Sequence, residues 1–560
     1  MVTCRQPPDH SWNLEHLHEN KFYRQSFSDY VITEAPVFTK RPMRMIVVGA
    51  GAAGLQIAYK AERQLENVTV HVYEKNNDIG GTWLENRYPG CTCDIPSHSY
   101  QWSFARSPEW TSYYSSAEEI WRYMKQWAVE TGIEKYVQFK HTVKQAKWIE
   151  EQSIWEVTIM RPDGTVFVDS AEILASCHGV LNTWKYPEIP GIDKFEGKLM
   201  HSAAWDSEYD LTDKVVAVIG GGSSAVQIIP SIQKKVKTLY PFLRSPKKEF
   251  AENPDALIQY CRDVEGELNK RFTLMHLDSV DQKLSRAYVQ KSMEEQLEHD
   301  PLLTKQLIPN FALGCRRMTP GSDYLSSLRR PNVEVITQSA TEFTKDGIVD
   351  ALGNERKVDV IICATGFNVT SPAYDIIGQN GTTLKDTWGD FPSAYLSIMT
   401  RGFPNMFYFI GPNGPGSHGS ILPVIEWHTR YMFKVLTHMQ RTSIKYLQPK
   451  EAAMKDAYAH THELLKRTAW SSKCSSWFKN GKTHGPVTAI WPGSRMHYFE
   501  VLKEPRYEDF DVEYRDNRFS FLGNGYTSTE LDPLADPVWY FDVLREELEK
   551  GTKAFDHLSH

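Results

Sequence analysis

Met45-Ile-Val-Val-Gly49-Ala-Gly51-Ala-Ala-Gly54 is a short apolar run that ends directly in a G-x-G-x-x-G turn, and residues 55–64 then continue without proline or glycine. That order reads as strand, phosphate-binding turn and helix. The next run, Val68-Thr-Val70-His-Val72-Tyr-Glu74, alternates branched and polar residues and supplies the second strand of a βαβ unit. The same grammar returns at Val215-Val-Ala-Val-Ile219 and Gly220-Gly-Gly222-Ser223-Ser224-Ala225, with a predicted helix over 226–235 and a strand over 236–243. Two such units predict an α/β chain with two Rossmann-like dinucleotide-binding domains, and hence two cofactors.

At 560 residues the chain exceeds a single hydrophobic core, and 41% hydrophobic with 24% charged residues is an ordinary globular composition. The formal charge of -7 is small for this length and no long basic run occurs, so there is no electrostatic case for nucleic acid; small molecules are the expected partners. No apolar run approaches the roughly 18 residues of a membrane span. The start, Met1-Val-Thr-Cys4, lacks the basic and apolar regions of a signal peptide. Eight scattered cysteines read as reduced thiols, which makes the cytoplasm the expected compartment. Between Pro254 and Pro309 the chain becomes charged, with Leu277, Val280, Leu284 and Tyr288 at helix-face spacing, which predicts a helical insertion. A buried strand is expected at Met406-Phe-Tyr-Phe-Ile410 and a long helix over 421–439.

The residue closing the strand after each glycine turn separates the two units. Glu74 stands 25 positions after Gly49, where a carboxylate accepts from both ribose hydroxyls of an adenosine; that suits FAD and rejects a 2′-phosphate. Arg244, followed by Ser245, stands 24 positions after Gly220, and its guanidinium pairs with a 2′-phosphate, which points to NADPH over NADH. Opposite signs at matched positions argue against two merely solvated strand-end charges.

Between the two turns lies Phe195-Glu-Gly197-Lys-Leu-Met-His201-Ser-Ala-Ala-Trp205-Asp206. The first unit is followed by Gly80-Gly81-Thr82-Trp83, by Arg87-Tyr-Pro-Gly90-Cys91-Thr92-Cys93-Asp94, and by Tyr100. Further on come Gly314-Cys-Arg316-Arg317-Met-Thr-Pro-Gly321, Ala364-Thr-Gly366 and Thr488-Ala-Ile-Trp491-Pro-Gly-Ser494. These ordered blocks, over roughly residues 44–500, resemble those of the type I Baeyer–Villiger monooxygenases, whose fingerprint F-x-G-x-x-x-H-x-x-x-W-[PD] is met by 195–206 without mismatch.

The resemblance implies that Gly49, Gly51, Gly54, Glu74, Gly81, Thr82, Trp83, Asp94 and Tyr100 hold FAD. It implies that Thr92, Gly220, Gly222, Ser223, Ser224, Ala225, Arg244, Ser245, Arg316 and Trp491 hold NADP, that Arg317 is catalytic, and that Asp94 orients it. Taken alone, Asp94 reads as a turn or cap residue, the arginines as surface charges, and His201 with Trp205 as a packed pair. With the resemblance, His201 and Trp205 lock or swing two domains. The implied reaction converts a ketone with O2 and NADPH to an ester or lactone through a flavin C4a-peroxide, whose anionic form a fixed arginine cation favours. Cys91 and Cys93 read as structural, and no metal is implied.

The implied partition is an N-terminal extension over 1–43, an FAD domain over 44–180 and 365–560 whose second part carries a mobile lid and a C-terminal extension, a linker, with the 195–206 connection, and an NADPH domain over 181–250 and 313–364, and a helical insertion over 251–312. An N- or S-oxygenating flavin monooxygenase has a fingerprint ending in another aromatic residue and lacks the arginine block, and a disulfide reductase needs an early C-x4-C pair absent here. A flavin-binding sensor or scaffold stays open on motifs alone. Trp470, Trp477, Phe478 and Trp491 hint at a bulky or polycyclic ketone, and a monomer or weak homo-oligomer is expected.

Overall fold

β1 (Met43–Val48) is buried along nearly its whole length, as a parallel strand covered on both faces must be. The computed structural model describes residues 30–242, 257–319, 321, 323–369, 372–417 and 419–549; Arg244 and Ser245, the residues expected at the second strand end, lie outside the described residues. The chain runs from β1 through α1 (Ala52–Gln64), β2 (Val68–Tyr73), α2 (Ala117–Thr131) and β3 (Val137–Gln138). An antiparallel meander, β4 (Thr142–Ile149), β5 (Ile154–Met160) and β6 (Val166–Ala171), then leads into β7 (Ile173–Ser176). A late strand, Met406–Tyr408, pairs with β7, β7 with β1, β1 with β2 and β2 with β3, all parallel.

The second parallel sheet contains β8 (Lys198–His201), β9 (Val215–Ile219), β10 (Thr238–Phe242) and β11 (Val360–Cys363), in the order β10-β9-β11-β8, with α3 (Ser223–Gln233) following the second glycine turn. The α/β class with two Rossmann-like sheets, expected from the two glycine turns, is the architecture found. Among the described residues no helix is long and apolar enough to cross a membrane.

At the first turn the strand and helix approach so closely that a Cβ on Gly54 would collide with the carbonyl oxygen of Gly49, while Gly49 itself sits at φ +101. Behind the first sheet, Ile46, Val48 and Leu174 pack on Trp148 and Trp155 of the meander. Trp155 donates its indole N–H to Pro404 O at 2.8 Å, and burying each large apolar side chain here contributes roughly 1.5–3 kcal/mol. α4 (Leu257–Lys270), α5 (Val280–Gln296) and α6 (Pro301–Leu307) occupy the charged segment, and α7 (Ile421–Arg441) lies along α1, where Gln56 Nε2 donates to Thr429 Oγ1 at 2.7 Å.

Several local expectations are corrected. The 195–206 stretch, read as a connection before the second unit, contributes β8 to the edge of that unit's sheet, because Lys198-Leu-Met-His201 pairs in parallel with β11. The charged segment is helical, as its spacing predicts, but the stripe does not mark one continuous helix face packed inward. Leu277 precedes α5, and Val280, Leu284 and Tyr288 are all exposed, the last two because they line a cavity rather than pack a core. The strand at 406 stops at Tyr408, and Ile410 at φ +63 turns the chain into the next loop.

The reading of all eight cysteines as reduced thiols is also overturned. Cys315 and Cys474, 159 residues apart and 6.4 Å between Cα atoms, form a disulfide. A small core of Met275, Leu465, Trp470 and Phe478 brings their segments together, a long-range event that cysteine spacing cannot report. Cysteine usage therefore no longer argues for a reducing compartment.

Adding one methyl group at Gly54 is expected to force the first turn apart and cost on the order of 2–3 kcal/mol. At Gly222 a Cβ meets nothing within 4 Å, so Gly222→Ala should stay within about 1 kcal/mol of the parent. Thermal unfolding of both variants checks this, and equal melting temperatures would contradict the close approach at Gly54.

Candidate active site

The site is assembled around an ion pair between residues 223 positions apart. Arg317 donates from Nε to Asp94 Oδ2 and from Nη2 to Asp94 Oδ1, both at 2.7 Å, and from Nη1 to Gly416 O at 2.7 Å. The fork geometry of a guanidinium matches a carboxylate in this way, and lysine could not make both bonds from one fixed plane. Burial alone would lower the arginine's pKa, but the Asp94 carboxylate outweighs it and holds the value above the ordinary one. Burial pushes the Cys93 thiol and the Tyr100 phenol upward, so both stay neutral beside the pair.

Asp94 is held by its own segment. Cys93 N donates to Ser115 O and Ala117 N to Cys91 O, each at 2.9 Å, which pins 91–94 against the start of α2. The same segment docks on α3: Gln227 Nε2 donates to both Thr92 O and Thr92 Oγ1 at 3.0 Å, and Tyr88 Oη donates to Gln227 Oε1 at 2.9 Å. Ser223 Oγ lies 2.6 Å from Thr319 Oγ1, joining the second glycine turn to the arginine turn. Nearby, Trp83 Nε1 donates to Tyr100 Oη at 3.2 Å with the rings edge-to-face.

A cavity of about 710 Å³ has Asp94, Arg316 and Arg317 in its wall, with Ile95, Leu284, Tyr288 and Phe311 among its apolar lining. That volume and lining suit a small organic molecule of drug-like size. The Arg316 guanidinium lies 5.5 Å over the Phe311 ring, and Lys479, whose pKa is lowered by burial and then by Arg316, is a second cation nearby.

Both glycine turns fit dinucleotides. α1 and α3 start at Gly51 and Gly222 with no side-chain cap and no acidic residue in the first turn, whereas α2 and α7 are capped by Ser116 and Ser420. The free N–H groups of such a terminus are donors for a phosphate. A Cβ on Gly81 would lie 3.0 Å from Gly51 Cα, so the two glycines keep a narrow backbone gap clear. Glu74 is buried rather than solvated; its carboxylate accepts from Ala50 N at 2.7 Å and Asn76 N at 2.8 Å, and burial raises its pKa against those bonds. One lone pair on each oxygen remains for a ribose hydroxyl. Thr82 Oγ1 accepts from Asn86 Nδ2 at 2.8 Å, Ser224 neighbours Tyr88, and Ala225 is buried in the second unit's core.

The fingerprint residues do not line the cavity. Phe195 packs beneath the second sheet, and Gly197 leaves room for Asp359 O. His201 stacks on Trp184, centroids 4.5 Å apart and 7° between planes, not on Trp205; Trp205 packs into the second unit's core and Asp206 pairs with Lys198. Trp184 bridges to Phe367 and Asn368 N donates to Thr183 O at 2.8 Å, so His201 sits where the two connections between the sheets run side by side. Trp491 is buried away from the cavity lining, donating to His497 Nδ1 at 3.2 Å and packing on Tyr498. It precedes α8 (Arg495–Val501), whose fully buried Arg495 pairs with Glu265 of α4. Sequence reading missed Gln227, Thr319, Arg495 and Gly416. Only Gly416 carried a signal, the turn-forming run Gly411-Pro-Asn-Gly-Pro-Gly416.

Comparison with known proteins gives the family and the fold. The family described as FMO-like, flavin-binding monooxygenase-like, matches residues 42–479. The FAD-binding monooxygenase stcW of Emericella nidulans is 37% identical, covering 93% of this chain and 94% of its own length. A Baeyer-Villiger monooxygenase of Streptomyces coelicolor is 34% identical, covering 88% of this chain and 96% of its own. The crystal structure of cyclohexanone monooxygenase from Rhodococcus sp. Phi1 bound to NADP+ superposes with a TM-score of 0.75 at 25% identity, over 84% of this chain and all of that one.

Burial holds three imidazoles neutral: His201 and His178 are pushed down to about 4, and His428 to about 3. Their folded values lie below the ordinary 6.5, so the unfolded chain takes up protons first as pH falls. The stability these rings contribute is complete above about pH 6.5 and is lost on the descent towards about 4. Denaturant unfolding at a series of pH values should show this slope, and His201→Asn should make it shallower; an unchanged slope would remove His201 from the account.

Proposed function

The chain belongs to the flavin-binding monooxygenase-like family and, within it, to the type I Baeyer–Villiger monooxygenases; from that premise we propose that it uses FAD and NADPH to insert one oxygen atom of O2 beside a ketone carbonyl, giving an ester or lactone, water and NADP+. The observation that carries this reading is the doubly hydrogen-bonded Arg317–Asp94 pair in the wall of an apolar cavity. In this reading the first glycine turn, Glu74, Gly81, Thr82, Trp83 and Tyr100 hold FAD, and the second turn with Thr92, Arg244, Ser245, Arg316 and Trp491 serves NADPH. The domain partition follows the two sheets. Bound and reduced, the flavin supplies activated oxygen from O2.

The residues of this chain do the electrostatic work. Three of the five guanidinium N–H groups of Arg317 are committed to Asp94 and Gly416, which leaves one donor on each terminal nitrogen for an oxyanion. As oxygen adds to the ketone carbonyl, negative charge develops on the carbonyl oxygen, and a preorganised cation in a poorly hydrated cavity stabilises that charge without reorganising. Asp94 keeps the guanidinium plane fixed and the charge permanent. Leu284, Tyr288 and Phe311 present apolar surface to the carbon skeleton and limit the water that would compete for the reactive oxygen.

NADPH consumption with product identification over linear, monocyclic and polycyclic ketones tests the reaction. No ester from any of them would overturn it. Arg317→Ala should retain FAD and lose ester formation by about 3 kcal/mol or more of transition-state stabilisation, while Asp94→Ala should act less directly through arginine orientation. Near-parental ester yield per NADPH from Arg317→Ala would move the role elsewhere. For coenzyme choice, Arg244→Ala should raise the KM for NADPH far more than that for NADH, by the roughly 1.5–3 kcal/mol of a charge-assisted bond. Equal effects on the two coenzymes would reject Arg244 as the 2′-phosphate residue.

A further inference from the structure

The turn that carries Arg317 is closed into a ring of links. From Arg317 Nη1 the path passes to Gly416 O, and Gly416 N donates to Gly414 O at 2.8 Å. Gly414 O also accepts from Trp491 N at 2.9 Å, and the neighbouring Asn413 donates from N to Thr488 O at 2.7 Å and from Nδ2 to Val487 O and Ile490 O at 2.9 and 3.1 Å. Thr488 N in turn donates to Phe478 O at 2.9 Å, four residues from Cys474. The Cys315–Cys474 bond returns the path to the chain two residues before Arg317. Apart from the disulfide and the short stretches of chain that join these residues, every link is a hydrogen bond.

We propose that the Cys315–Cys474 disulfide is a positioning element for Arg317, a covalent staple that fixes the arginine turn to the 474–491 segment and thereby sets how oxygen transfer is coupled to NADPH oxidation. This rests on the reaction proposed above. The first ground is location: a bond two residues from the guanidinium's own backbone limits how far that backbone can drift, and displacement of a catalytic group by about 1 Å costs on the order of 100-fold in rate. The second is burial. Cys315 and Cys474 are 0% and 3% exposed, so the staple is shielded from solvent in the folded protein. The third is that the anchor is itself firm: Lys479 Nζ donates to Ser472 O at 2.6 Å and Thr483 O at 3.1 Å, tying both flanks of Cys474 together. Reduction by a dithiol breaks the S–S bond, adds two electrons and two protons to give two thiols, and leaves the reductant as its cyclic disulfide.

Alkylation of the denatured protein with N-ethylmaleimide, followed by peptide mapping, should leave Cys315 and Cys474 unlabelled, and should label all eight cysteines after dithiothreitol; adducts on Cys315 and Cys474 without reductant would overturn the proposal. The protein reduced with dithiothreitol and desalted should lose about three-fold or more in ester formed per NADPH consumed, with its KM for NADPH within about two-fold of the oxidised form. Reoxidation should restore the yield. The Cys315→Ser/Cys474→Ser double variant should reproduce the reduced state and not respond to reoxidation, and should it fail to load FAD, the reduced and reoxidised native protein carries the test alone. Unchanged coupling in protein proven to carry eight thiols would reject the staple. If the oxidised protein makes no ester, the reaction reading fails separately, and amide hydrogen exchange over 314–319 decides the staple: faster exchange on reduction supports it, unchanged exchange refutes it.

Discussion

The bond pair between Arg317 and Asp94 is the constraint around which the molecule is organised. Both partners are only about one-fifth exposed, so an unmatched guanidinium or carboxylate there would carry a desolvation penalty that nothing else offsets. The pair therefore forms only when the segment following the first βαβ unit and the turn following the helical segment meet in one register. The docking bonds are polar and directional for the same reason: Gln227 reads both Tyr88 and Thr92, and Ser223 meets Thr319, so a shift of the second unit against the first would leave buried donors without acceptors.

Beside that pair, burial holds Cys93 and Tyr100 protonated, and elsewhere in the structure it holds His178, His201 and His428 unprotonated. An arginine held above its ordinary pKa by its carboxylate partner keeps a charge that does not vary with ordinary changes of pH, which suits a site proposed to stabilise developing negative charge. Glu74 makes the contrast at the other end of the first unit, where backbone N–H groups rather than a cation offset the cost of a buried carboxylate.

The fingerprint stretch acts at a distance from this chemistry. His201 lies against Trp184 and Phe367, on the two connections that join the sheets, and its ring is locked by stacking and by the bond from Ala203 N to Nδ1 at 3.1 Å. A residue there bears on how the two sheets are held relative to each other, which explains how a motif can mark the family without touching the cavity.

What the residues determine locally was legible in the chain. Gly49 and Gly54 permit a backbone approach that any Cβ would block, so the two strand–turn–helix units, the α/β class and the buried Glu74 follow from a few adjacent positions. Arg317 and Asp94 were legible only through the resemblance of their blocks, since either alone reads as a surface charge or a turn residue. The stripe with Leu284 and Tyr288 reported a helix, which is found, but not the cavity it lines, because helical periodicity reports a face and not what that face meets. Gly416 at 99 residues from Arg317, Gln227 at 135 from Thr92, the Trp184 partner of His201 and the Cys315–Cys474 bond across 159 residues carried no usable spacing. The sequence by itself determined the two nucleotide turns and the residue types available for chemistry, because those depend on backbone sterics and charge within a short window. Only the tertiary structure decided which arginine meets which carboxylate and what holds it there, because that depends on the packing of segments far apart in the chain, which local periodicity does not encode.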